Sequence, residues 1–255
     1  MKYITLLFCL LSCFLLSACS TLKAGATKEY GFAPQPELLT ENRDRAPFHG
    51  YWNRDGEGFY QLIKEAGTVK IAPVDIRFVE QAYQNAQGSE DVKLDRIEEA
   101  RQLAEYFRQK ILLIIEQAPE LSALKSDENT SGSDHFPTLH LAFVELIPTN
   151  PGVNFVGTVA GTFVPGGGLI KYFGKGSVAI ESFSDHRSRG QGTVLWEQFK
   201  DREGQKTSAF TLKDYQRYAH IREIIDEWSM QIVQLLTTPP DHTVEDSAVL
   251  SINPL

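Results

Sequence analysis

Apolar positions along this chain fall into three kinds of pattern. The first is a predominantly apolar stretch of 13 residues, Ile4–Leu16, without a charge. It is shorter than the roughly 20 residues a helix needs to cross a bilayer core, and it has the length of a secretion-signal core. No later window matches it: the best, Ile111–Ile115, lies between Lys110 and Glu116. The second pattern is alternation. Val69, Ile71, Val74 and Ile76 alternate around Pro73, predicting a strand over 69–76 at a sheet edge or with a bulge, because proline has no N–H for the ladder. Thr138–Ile147 is apolar on both faces, with Leu139, Leu141 and Phe143 on one and Ala142, Val144 and Leu146 on the other. A strand covered on both sides has this composition. Ser177–Ser184 and Thr193–Lys200 flank the polar, glycine-containing stretch Asp185–Gly192, which predicts an antiparallel hairpin with Trp196 in the core.

The third pattern repeats every three or four residues. Ile97, Ala100, Leu103, Ala104, Phe107, Ile111, Ile114 and Ile115 form one stripe, predicting a helix over 95–117 with Asp95 as its cap and Pro119 beyond its end. A second helix is expected from Thr211, with Asp214 as the capping partner. Its stripe is Tyr218, Ile221, Ile225, Trp228, Ile232 and Leu235, and it stops before Pro239 and Pro240. The order strand, helix, strand, hairpin, helix points to an α+β or α/β fold, with helices layered on a mixed sheet. Residues 19–50 are polar and interrupted by Pro34, Pro36 and Pro47, and are expected to be a flexible tether. The folded domain is expected over 51–240, with an irregular tail over 241–255.

Composition narrows the function classes. A formal net charge of −8 makes a nucleic-acid partner a poor match. Of three cysteines, Cys9 and Cys13 lie inside the first apolar run, so a processed chain would keep Cys19 alone, without material for a disulfide or a cysteine metal site. Leu16-Ser17-Ala18-Cys19 resembles the lipobox of bacterial lipoprotein signals. The resemblance implies that residues 1–18 are a signal peptide removed on export, that Cys19 becomes the lipidated first residue, and that its several acyl chains, palmitate-like in length, give a stable anchor. It further implies, because Ser20 rather than aspartate follows the cysteine, a place on the outer membrane of a Gram-negative cell, facing the periplasm. The alternative at these residues is an ordinary secretory signal cut after Ala18, leaving a free thiol.

The segment 150–176 stands apart internally, being rich in glycine, free of acidic residues and apolar at many positions. A connection this long without a clear element is uncommon in compact domains and is often functional. As a docking loop it offers Phe155, Phe163, Val164, Gly166, Gly167, Gly168, Leu169, Ile170 and Phe173 as candidate partner contacts. The other reading is a short element folded onto the sheet, its glycines serving turns.

Motifs for chemistry are weak. Gly174-Lys175-Gly176-Ser177-Val178-Ala179 has the letters of a dinucleotide loop, yet a strand is predicted after the glycines and not before them. No cofactor is expected. The six histidines lack paired helical spacing with a glutamate, and His135 and His140 span a loop-to-strand transition, so no metal is expected. Ser184, Asp185, His186 and Ser188 are the residue types of a hydrolase triad, but adjacency in sequence does not supply the relay geometry. Tyr30-Gly31-Phe32, Lys70-Ile71-Ala72-Pro73-Val74 and the region from Gly174 to Asp201 give the chain a likeness to proteobacterial outer-membrane lipoproteins classed only as a domain of unknown function. That resemblance implies a compact periplasmic domain and supplies no catalytic residue. The expected function is a non-enzymatic envelope lipoprotein, an adaptor or accessory subunit for a periplasmic or outer-membrane protein. Two alternatives are a small-ligand or glycan-binding module with Tyr51, Trp52 and Tyr172 as stackers, and a hydrolase with dispersed residues.

Overall fold

The structure is a computed structural model that describes residues 29–42, 44–54, 58–118, 121–125, 136–148, 177–188, 192–204 and 218–246. Among these residues the strands are β1 (Gly50–Asn53), β2 (Thr68–Ile71), β3 (Ser122–Lys125), β4 (Thr138–Ile147), β5 (Ser177–Ser188) and β6 (Gly192–Gly204). The helices are α1 (Gly58–Ala66), α2 (Arg77–Asn85), α3 (Glu90–Glu116) and α4 (Ala219–Thr237). The strands form one mixed sheet in the order β1-β6-β5-β4-β2-β3. β2 is parallel to β3 and β4, and the remaining pairs are antiparallel. The fold is α+β, as the alternation of patterns implied.

One face of the sheet carries the main core. Leu139, Leu141 and Phe143 of β4, Val178 and Ile180 of β5 and Phe199 of β6 are buried in one cluster with Phe107 and Ile111 of α3 and Ile225, Trp228 and Ile232 of α4. Phe107 stacks on Phe143 at 5.7 Å between centroids and lies 6.3 Å from Trp228. Each such side chain contributes roughly 1.5–3 kcal/mol by leaving water, so this layer dominates the stability. A bulge between Phe143 and Glu145 turns Leu146 to the helix-covered face, where it joins the main core. The expected grouping of Leu146 with Ala142 and Val144 is thereby corrected, since one extra residue reverses the facing of all that follow.

β4 has the predicted bounds, and β5 and β6 form the predicted hairpin with longer arms. Trp196 is partly buried against the core. The strand expected over 69–76 ends at Ile71; the chain still tracks β4 through Ala72 N–H to Leu139 O (3.0 Å) and Asp75 N–H to Leu141 O (2.8 Å), and Ile76 then caps α2. β2 lies between β3 and β4 and not at an edge, so Pro73 marks an interruption. α3 begins at Glu90 after Ser89, and not at Asp95. Its first turns leave Val92 and Leu94 exposed, so the buried stripe starts only at Ile97. The start of α4 is Ala219; Thr211 and Asp214 lie outside the described residues.

The expected tether needs the largest correction. Within 29–50, Ala33, Arg45, Ala46 and Phe48 are buried, and Phe48 stacks on Phe199 at 4.4 Å. Arg45 donates to the carbonyls of Leu235, Thr238, Pro239 and His242 at 2.6–3.1 Å, satisfying the acceptors that the end of α4 leaves open. The early part of the tail belongs to the same joint, because Val244 is buried and its N–H donates to Arg45 O at 2.8 Å. The described residues before 51 are thus part of the folded body and not a tether.

Candidate functional site

Across the outer face of the sheet, away from α3 and α4, residues 29–39 form a strap. Ala142, Val144 and Ala179 are buried here beneath Tyr30, Phe32 and Phe78. The strap is held chiefly by one carboxylate. Glu181, buried in β5, accepts the N–H of Tyr30 on Oε1 (2.8 Å) and those of Phe32 and Ala33 on Oε2 (2.8 and 3.0 Å). Three donors converging on a charged acceptor offset the desolvation of that charge. Gly31, with φ of 83°, makes the turn between the first two donors. Beyond the clamp, Gln35 and the Gln198 side chain exchange hydrogen bonds in both directions.

A second ion cluster sits beside the first. Arg202 donates to Glu145 Oε1 through Nε (3.0 Å) and Nη2 (2.6 Å), and Ser177 Oγ donates to the same oxygen at 3.0 Å. Tyr30 Oη reaches Glu145 Oε2 at 3.3 Å. Burial, and after it the Glu145 charge, push the Tyr30 hydroxyl up to about 12, so it remains a donor. Tyr30 is therefore fixed to the sheet at backbone and side chain alike.

On the helix-covered face a separate acidic group binds β1, β6 and α4 together. Asp201 Oδ1 accepts the N–H of His49 and faces its Nδ1, while Oδ2 accepts Trp228 Nε1–H at 2.8 Å. Tyr51 Oη donates to Glu197. Burial pushes the Glu197 carboxyl up to about 7, against the Tyr51 hydrogen bond and the charge of Arg45. Perturbed carboxylates often mark catalytic sites. Both acids are sealed under the helix layer, however, and their partners are structural elements, so this cluster fastens the layers together. Trp228→Phe keeps the ring in the core and strands one Asp201 oxygen; a loss of about 2 kcal/mol is expected, read as a lower urea midpoint, and an unchanged midpoint would refute the role given to this bond.

The other sequence candidates fare differently. Cys19 and all nine candidate contacts from Phe155 to Phe173 lie outside the described residues, as does Tyr172. Tyr51 is buried in the Glu197 pair and presents no stacking face, which corrects its assignment as a glycan stacker; Trp52 is half-buried. The local triad does not assemble: Asp185 Oδ1 faces His140 Nε2 at 3.4 Å, across the strand pair from His186, whose Nδ1 is buried without a hydrogen-bond partner. Among the described residues no group of three or more His, Cys, Asp or Glu side chains could hold a metal, and no helix is long and apolar enough to cross a membrane. Glu181 and Glu145 were missed by sequence reasoning. Their signal is a charge inside otherwise apolar strands, which demands a partner.

No family model matches this chain, and no curated protein does. Among solved structures, the hypothetical protein CT253 from Chlamydia trachomatis is similar at 9% identity, over 67% of this chain and 98% of that one, with a TM-score of 0.32.

Proposed function

We infer that this is a lipid-anchored lipoprotein of the periplasmic face of the outer membrane. Its work would be non-enzymatic: an adaptor or accessory subunit that presents the α+β body to an envelope protein. The observation that favours this reading is the strap. A chain that leaves Cys19 is seized by Glu181 only 11 residues later, at Tyr30, so a body anchored at that cysteine is held close to the lipid surface with one orientation preferred.

The contact segment of this adaptor would be 150–176. Its support is topological: β4 and β5 are adjacent and antiparallel, and Ile147 opposite Ser177 is their last pair. The two ends of the connection therefore lie side by side at one end of the sheet.

Two experiments test the reading. Mass spectrometry and flotation of membranes should find wild-type protein acylated at Cys19 and membrane-bound, and Cys19→Ser unacylated and soluble. Wild-type protein without lipid, or Cys19→Ser still floating with membranes, removes the anchor. Photocrosslinking from Phe163 in intact cells should yield one defined adduct with an envelope protein, and deletion of 150–176 should abolish co-purification of that same protein. Capture unaffected by that deletion at a second probe position would place the contact elsewhere.

A further inference from the structure

We propose that β1 is a proton-operated latch, closed over β6 while Glu197 is neutral and released when that carboxyl is ionised. The geometry is that of a buried acid under a short cover. Glu197 and Asp201 stand four residues apart on the helix-covered face of β6, both buried. Asp201 is answered from several sides, by the His49 N–H, His49 Nδ1 and Trp228 Nε1–H. The Glu197 carboxyl, by contrast, receives one hydrogen bond among the described residues, from the Tyr51 hydroxyl. The charge of Arg45 also acts on it. Both Nη atoms of Arg45 are committed to the end of α4, however, and its Nε–H is buried without a partner. The guanidinium thus serves carbonyls and not the carboxylate. Tyr51 and Arg45 are the titratable groups that act on Glu197, and no charged group of α1, α4 or β5 is among them. β5 brings Ser184, opposite in register. α1, which packs on β6, buries Phe59 and Ile63 and leaves Lys64 and Glu65 outside.

Burial, acting against the Tyr51 hydrogen bond and the Arg45 charge, pushes the Glu197 carboxyl up to about 7. As pH rises through that value the proton leaves, and the charge left behind is stabilised chiefly where water can reach it. β1 is the shortest way in. It is four residues long, lies at the edge of the sheet and pairs with β6 over Glu197–Lys200. On its other side it has the isolated bridge between Thr40 and Tyr51. Short edges of this kind open locally at a fraction of the global free energy, whereas β5 and the helices around Glu197 carry the main core. Opening β1 lifts Tyr51 from Glu197 and bares the backbone groups of β6 that faced it. It also breaks the Thr40 bridge, which leaves the strap held by Glu181 and Gln198.

The test is native-state hydrogen exchange on the full chain, with every rate divided by its intrinsic rate at the same pH. The reporters are the amides of Tyr51 and Arg54, which donate to Thr40 O and Trp196 O at 2.8 Å; the amides of β5 are the reference. If the carboxyl returns to its ordinary 4.5 in the open form, opening is favoured roughly 70-fold more at pH 8 than at pH 5. Protection at Tyr51 and Arg54 should fall by that factor. The β5 amides should exchange at least roughly ten-fold more slowly at pH 8 and respond to urea far more steeply, since they need the whole fold to open. Glu197→Gln should abolish the fall at both reporters. Tyr51→Phe keeps the ring and removes the hydrogen bond that favours the ionised carboxyl, so at Arg54 the fall should continue to higher pH. Equal rates and equal urea dependence at the reporters and β5 would mean that β1 opens only with the whole chain, and would overturn the latch. Protection that stays flat from pH 5 to 8 in the wild-type protein overturns it too, as does a fall that survives Glu197→Gln. Where Glu197→Gln does not fold, Tyr51→Phe decides: a fall ending at the same pH as in wild type sinks the proposal.

Discussion

Glu181→Ala is expected to unfasten the strap while leaving the helix-covered core folded. The substitution removes the single acceptor of three backbone N–H groups. Hydrogen bonds to a charged group contribute about 1.5–3 kcal/mol each, but donors freed into a lifting segment regain water, so the net loss is on the order of 4 kcal/mol. Hydrogen exchange resolves the outcome by site: the amides of Tyr30, Phe32 and Ala33 should lose protection far more than those of β4 and β5. Glu181→Gln should fall between. Its amide can still accept on one atom but turns a donor toward the other N–H group or groups, so the side chain keeps its size and loses part of its function. Persistent protection of those three amides in Glu181→Ala would show that apolar contacts hold the strap without the carboxylate.

Glu197→Gln is expected to change how stability depends on pH. In the folded chain this carboxyl titrates at about 7, against an ordinary value of 4.5, so the native state holds its proton more tightly than the unfolded chain does. The contribution is fully present below pH 4.5 and is lost as pH rises through 7, where a charge must be carried in the core. A difference of this size corresponds to about 3 kcal/mol. Glutamine still accepts the Tyr51 hydroxyl and never ionises. Urea unfolding should therefore find the variant more stable than wild type at pH 8, by up to about 3 kcal/mol, with the difference shrinking as pH falls to 5. A gap between the two proteins that stays constant across that range would mean that Glu197 does not titrate as its burial requires.

How much of this was legible depends on how far each residue's partner lies along the chain. Thr138–Ile147 was readable because both its faces are apolar, so nothing distant had to be known. The stripes of α3 and α4 were readable from Ile97 and from Tyr218 onward for the same reason. The first turns of α3 were not, since Val92 and Leu94 carry apolar side chains that the fold leaves outside. Residues 29–50 look like a linker because they contain prolines and polar groups, and what binds the stretch from Tyr30 to Ala33 is chiefly backbone N–H, which every sequence has. Their acceptor, Glu181, is 151 positions from Tyr30. Tyr51 resembled a surface stacker because its partner, Glu197, is 146 positions away. The apolar first 19 residues and the glycine-rich segment 150–176 stand out only as composition, which carries no contact map.

The distance between Tyr30 and Glu181 also sets an order of assembly. The clamp cannot close until β5 has been made and has paired with its neighbours, and contacts of such wide sequence separation form late. Throughout that interval the head of the chain has nothing to dock on. Closure of the strap is thereby separated in time from formation of the helix-covered core, and the two can be followed as distinct phases of refolding.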